Sequence, residues 1–99
     1  MRLAGRTAVV TGAGSGIGRG IAQALAARGC DLALADINEA GLAETAALLG
    51  GSGVKITTYR LDVADKAAVA AFPERVRADH PRVHVLVNNA GVAIGGTFQ

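Results

Sequence analysis

One cysteine, Cys30, is all that this 99-residue chain carries, so no intrachain disulfide can form. It lies between a glycine and an apolar stretch and reads as a small buried apolar residue. Tryptophan is absent, and one tyrosine and two phenylalanines hold the aromatic content to 3%. A core must therefore come from aliphatic and small side chains, which suits close packing of helices on a sheet. Charged residues make up only 18% of the chain, with a formal net charge of +2. The basic residues are scattered, with no run and no aromatic interleaving. No stripe is available to neutralise a nucleic-acid backbone. No apolar run approaches the roughly 20 residues that span a bilayer. The N-terminus also lacks the apolar segment of a secretory signal. These absences predict a soluble, cytoplasmic protein with neither nucleic acid nor membrane as partner.

Glycine is plentiful, at 14 residues, and it is concentrated in Thr11-Gly12-Ala13-Gly14-Ser15-Gly16-Ile17-Gly18. The apolar stretch Thr7-Ala8-Val9-Val10 precedes this run and reads as a buried strand. A stretch with helical spacing follows it. A strand, a glycine-rich turn and a helix N-terminus make a site for a phosphate. The free N–H groups of the first helical turn point at the anion, and the helix dipole adds roughly half a positive charge. The competing reading is an ordinary strand-to-helix turn.

The same alternation continues along the chain. Strands are predicted over about 7–11, 31–36, 55–61 and 84–88, with helices over about 16–28, from residue 39 to Gly50-Gly51, and over 66–79. Ile17, Ile21, Leu25 and small alanines form the apolar face of the first helix, and Gly29 ends it. Asn38 and Asp65 read as N-caps of the second and third helices. Pro73 falls inside the third and predicts a kink or break near Phe72. Val85, Leu86 and Val87 read as buried on both faces of the last strand. This order implies a parallel sheet with right-handed crossovers and helices on both faces.

Asp36 ends the second strand. An acidic residue there accepts hydrogen bonds from the adenosine ribose of a dinucleotide. It also disfavours a 2′-phosphate, since two charges ~4 Å apart at a dielectric near 20 repel by roughly 4 kcal/mol. Neither Ser15 nor Ile37 supplies a cation to relieve that repulsion. NAD is therefore expected over NADP. The alternative is a carboxylate that merely caps the next helix.

Here the chain resembles the short-chain dehydrogenase/reductase family. Thr11-Gly-x-x-x-Gly16-x-Gly18 matches its glycine motif, Asp62-Val63 its Asp-Val pair, and Asn88-Asn89-Ala90-Gly91 its Asn-Asn-Ala-Gly motif. All three occur in order, each after a predicted strand. The resemblance implies a Rossmann-like, doubly wound α/β fold with a parallel sheet, truncated after the fourth strand. Residues 1–99 would be an NAD-binding domain incomplete at its C-terminal end. Gly12, Ser15, Gly16, Ile17 and Gly18 would form the pyrophosphate turn, braced by the Thr11 hydroxyl. Asp36 would hold the adenosine ribose. Asp62 would accept from the adenine amino group, and Val63 would offer its N–H to a ring nitrogen. Asn89, Ala90 and Gly91 would lie along the cofactor near its riboses. Two readings stay open for Asp62, which is either an adenine contact or a strand-end carboxylate held by local N–H groups. Asn88 and Asn89 are either cofactor contacts or ties between strands. His84 stands where relatives often have Asp, and it carries no catalytic role.

The family's proton-transfer residues, a Ser and a Tyr-x-x-x-Lys pair, would follow the Asn-Asn-Ala-Gly strand. The only tyrosine here is Tyr59, with Val63 four residues on. No catalytic residue is assigned. The leading expectation is the N-terminal, cofactor-binding part of an NAD-dependent oxidoreductase, inactive by itself. The full-length protein would act on a small alcohol or carbonyl substrate as a homo-oligomer. The alternatives are a non-catalytic dinucleotide-binding module and a pseudo-domain kept for a partner interface. An uncovered edge on the fourth strand would leave the isolated chain marginally stable or prone to associate.

Overall fold

The computed structural model describes residues 3–90. Its elements are β1 (Thr7–Thr11), α1 (Gly16–Ala27), β2 (Asp31–Asp36), α2 (Glu39–Leu48), β3 (Ile56–Arg60), α3 (Lys66–Asp79) and β4 (Val85–Asn88). The four strands form one sheet in the order β3-β2-β1-β4, with every pairing parallel. Thr11 pairs with Ala35 on one side and Asn88 on the other, so β1, β2 and β4 end at one edge of the sheet.

Strand periodicity divides the core into two layers. Ala8, Val10, Leu32 and Leu34 face α1 and α2, which contribute Ala22, Ala26 and Leu42, with Leu49 just past the end of α2. Val9, Ala33, Ala35 and Tyr59 face α3, which contributes Val69, Phe72 and Val76. Helices on both faces make this the doubly wound arrangement expected from the sequence. Cys30 lies fully buried in the first layer, and burial pushes its thiol pKa up. A buried thiol of this kind is unreactive.

Both expected N-caps are present. The Asn38 side chain accepts from the Gly41 N–H at 3.0 Å and Asp65 from the Ala68 N–H at 3.0 Å. Gly29 takes a positive φ of 82° just past the end of α1.

Three local expectations require correction. The buried stripe of α1 is Gly18, Ala22 and Ala26, while Ile21 and Leu25 are only partly buried and Ile17 is exposed. The helix lies too close to the sheet and the glycine turn for large side chains to fit between them. In β4, Leu86 is 40% exposed, and Val85 and Val87 are half-buried. The strand lies at the sheet edge, and α3 packs its apolar residues over β1, β2 and β3 instead. Finally, α3 runs unbroken through Pro73. Proline inside a helix costs about 3 kcal/mol. Pro73 is buried with Phe72 and Val76, and burial of its ring works against that cost.

Candidate functional site

The glycine turn joins the end of β1 to the start of α1. Gly12 and Gly16 hold positive φ values of 64° and 59°, which let the chain reverse direction tightly. At Gly18 the constraint is proximity. A Cβ there would overlap the Gly12 carbonyl oxygen and come within 3.0 Å of Asn89 Nδ2. Glycine at this position lets α1 start directly against the turn.

The start of α1 differs from the other two helices. Ser15 occupies the N-cap position, but its side chain makes no capping hydrogen bond, and no acidic residue lies in the first turn. Among the described residues, α1 is the helix whose leading N–H groups have no side-chain cap. Ser15, Gly16 and Ile17 are all exposed there. Unfilled donors at the positive end of a helix dipole fit a phosphate oxygen without competition from the protein.

The other candidate residues gather at the same edge of the sheet. Asp36 Oδ2 accepts from the Gly14 N–H at 2.8 Å, and Oδ1 accepts from the Asn38 N–H at 3.0 Å. The carboxylate thus ties β2 to the glycine turn. It also carries out the local task foreseen as the alternative, since it bonds at the entry to α2. Each oxygen has a second lone-pair direction for a ligand hydroxyl. The Leu61 N–H donates to the Asp36 carbonyl at 3.0 Å, which brings the end of β3 alongside. Asp62 Oδ1 accepts from the Ala64 N–H at 2.9 Å, and Val63 is exposed. Thr11 Oγ1 donates to Asn88 Oδ1 at 3.0 Å and accepts from the Ala90 N–H at 3.1 Å. The hydroxyl therefore ties β1 to β4 and the residues that follow it, where the expectation had it bracing the glycine turn. Asn88 acts as a tie between strands. Asn89 Nδ2 reaches only a long 3.4 Å contact with the Gly12 carbonyl. Gly91 lies outside the described residues.

Sequence reasoning missed two residues at this turn. Thr45, fully buried on α2, donates through Oγ1 to the Ala13 carbonyl at 2.7 Å. Arg19, on α1, donates to the Gly14 carbonyl at 2.6 Å, the Gly41 carbonyl at 3.1 Å and Thr45 Oγ1 at 2.8 Å. For Thr45 the available signal was a hydroxyl beside alanines on the side of α2 that carries Leu42, because a buried hydroxyl needs a partner.

Tyr59 serves the core. Its hydroxyl donates to Asp79 Oδ2 at 2.7 Å, its ring meets Phe72 edge-on at 5.7 Å, and the Arg75 guanidinium lies 5.5 Å above it. Burial, above all, pushes its pKa up to about 12. A cavity of about 420 Å³ opens at the opposite edge of the sheet, among Thr7, Lys55, His80 and His84. It contains none of the candidate residues. There the Thr7 N–H donates to His84 Nδ1 at 3.0 Å, which gives His84 a structural task at the start of β4. No described helix is long and apolar enough to cross a membrane.

The family model for short chain dehydrogenases matches residues 6–99. D-threitol dehydrogenase of Mycolicibacterium smegmatis is 47% identical over 92 residues, covering 93% of this chain and 35% of that protein. A short-chain dehydrogenase/reductase from Burkholderia phymatum, solved with NAD, superposes with a TM-score of 0.80 at 38% identity, covering 87% of this chain and 31% of that one. A metagenomic short-chain oxidoreductase solved with NADP superposes with a TM-score of 0.84 at 38% identity, covering 93% and 42%. The chain spans only part of its curated relatives, from 15% of one to 36% of another.

Proposed function

Because this chain belongs to the short-chain dehydrogenase family, we propose that it binds NAD in preference to NADP as the cofactor-binding part of an oxidoreductase. The observation that carries this reading is the uncapped start of α1 beside a carboxylate tied to the same turn. When bound, NAD supplies a hydride acceptor for an alcohol, and its reduced form a donor for a carbonyl. The chain's own residues hold and orient that group. Backbone N–H groups from Ser15 to Gly18 take the diphosphate. Asp36 accepts the adenosine ribose hydroxyls and, by like-charge repulsion, disfavours a 2′-phosphate. Asp62 and Val63 take the adenine, Thr11 ties β1 to the Asn88–Ala90 segment, and Asn89, Ala90 and Gly91 lie along the cofactor near its riboses.

Proton transfer lies outside these residues, since the 99 positions contain no Tyr-x-x-x-Lys pair. Residues 1–99 are thus a nucleotide-binding unit that does not turn over by itself. The longer protein to which such a unit belongs acts on a small alcohol or carbonyl compound as a homo-oligomer.

Titration of the chain with NADH and NADPH, followed by nucleotide fluorescence, tests the reading. Saturable NADH binding at least about tenfold tighter than NADPH is expected. No saturable binding of either would contradict the cofactor role. Equal or tighter NADPH binding would contradict the role given to Asp36.

A further inference from the structure

All four backbone polar groups of Ala13 and Gly14 are engaged. The Ala13 N–H donates to the Ala35 carbonyl at 3.1 Å, and the Gly14 N–H to Asp36 Oδ2 at 2.8 Å. The two carbonyls are held differently, by side chains brought from the helices. Thr45 Oγ1 donates to Ala13, and Arg19 Nη2 donates to Gly14. Thr45 Oγ1 accepts from Arg19 Nε and has two carbonyls in reach, Ala13 at 2.7 Å and Gly41 at 3.1 Å, of which the shorter contact is with Ala13.

In a planar trans peptide the C=O and the following N–H point in opposite directions. Fixing the Gly14 carbonyl against Arg19 therefore aims the Ser15 N–H the other way, into the exposed mouth of the turn. Fixing the Ala13 carbonyl sets the Gly14 N–H on Asp36. If the Gly14–Ser15 peptide rotated, a carbonyl oxygen would face the place where an anion must sit; if the Ala13–Gly14 peptide rotated, a carbonyl oxygen would face the Asp36 carboxylate. The arginine fork suits this task because one planar group reaches several acceptors at fixed angles. Its side chain is only 24% exposed.

We propose that Thr45 and Arg19 are positioning residues for the dinucleotide: Arg19 clamps the Gly14 carbonyl so that the Ser15 N–H faces the diphosphate, and Thr45 clamps the Ala13 carbonyl so that the Gly14 N–H holds the Asp36 carboxylate in place. This assignment rests on the cofactor reading above. It adds that α2, which supplies no cofactor contact of its own, governs the affinity of the turn.

The test compares NADH with adenosine, which lacks the diphosphate, on the full chain. Thr45→Val removes the hydroxyl at nearly constant volume, and Arg19→Met removes the fork while keeping an apolar stem. Arg19→Met should weaken NADH binding about tenfold or more while adenosine binding changes by less than about twofold, whereas Thr45→Val, which loosens the peptide that holds Asp36, should weaken both. Thr45→Ser should restore NADH binding, because it restores the donor. Arg19 is partly exposed, so its variant carries the test if Thr45→Val does not fold. Unchanged NADH affinity in either variant, or a parallel loss of NADH and adenosine in Arg19→Met, would overturn the assignment. A wild-type chain that binds no NADH would overturn the cofactor reading and this assignment together.

Discussion

At Gly18 a single methyl group decides whether α1 can dock. The obstacle is backbone, the Gly12 carbonyl, and it cannot swing aside as a side chain would. Gly18→Ala should destabilise the fold by about 1–3 kcal/mol, read from chemical denaturation, and weaken NADH binding with it. A second residue-scale prediction concerns His80, which is buried with its Nε2 2.7 Å from Thr57 Oγ1. Burial, and then the nearby Lys55 charge, lower its pKa below the usual 6.5. Below that pH the unfolded chain takes up a proton that the folded state resists. Stability should therefore be complete above about pH 6.5 and fall as the pH drops towards the folded-state value. A pH series of denaturation midpoints checks this, and His80→Gln should flatten the slope. Gly18 was legible in the sequence because its motif is local. The His80–Thr57 and Arg19–Thr45 contacts were not, because they join residues 23 and 26 positions apart with no periodic signal.

The three helices begin in two ways, and the difference is measurable. Asp65 caps α3 through its side chain, while Ser15 at the head of α1 does not cap. Asp65→Ala should cost about 1 kcal/mol, and Ser15→Ala should cost only a few tenths at most. Thermal melts of the two variants would show the contrast. Comparable losses would mean that the Ser15 side chain already occupies the donors assigned to the ligand. Elements were the most legible level of this chain, since caps, glycine stops and strand alternation are all local. Burial within them was less legible. Period alone placed Ile17 on the inner face of α1, whereas the closeness of helix and sheet admits only Gly18, Ala22 and Ala26. Leu86 was expected inside because three consecutive apolar residues read as a strand buried on both faces, but an edge strand has less to cover it.

For the molecule as a whole, the sheet places the glycine turn, Asp36, Asp62 and Asn89 at one edge and the cavity near His80 and His84 at the other. Among the described residues β4 pairs only with β1, and Leu86 on it is exposed. Such an edge favours association, so sedimentation should show a concentration-dependent increase in mass. Leu86→Lys should reduce that association. The parallel order and the gathering of the candidate residues at one edge followed from the sequence because each motif comes at the end of a strand. The measurement that tests the central claim most directly is the set of backbone amide shifts of the isotopically labelled chain as NADH is added. The largest saturable shifts are predicted at Gly16, Ile17 and Gly18, with Lys55, His80 and His84 unmoved. Shifts confined to the His80 edge, or none at any NADH concentration, would contradict it.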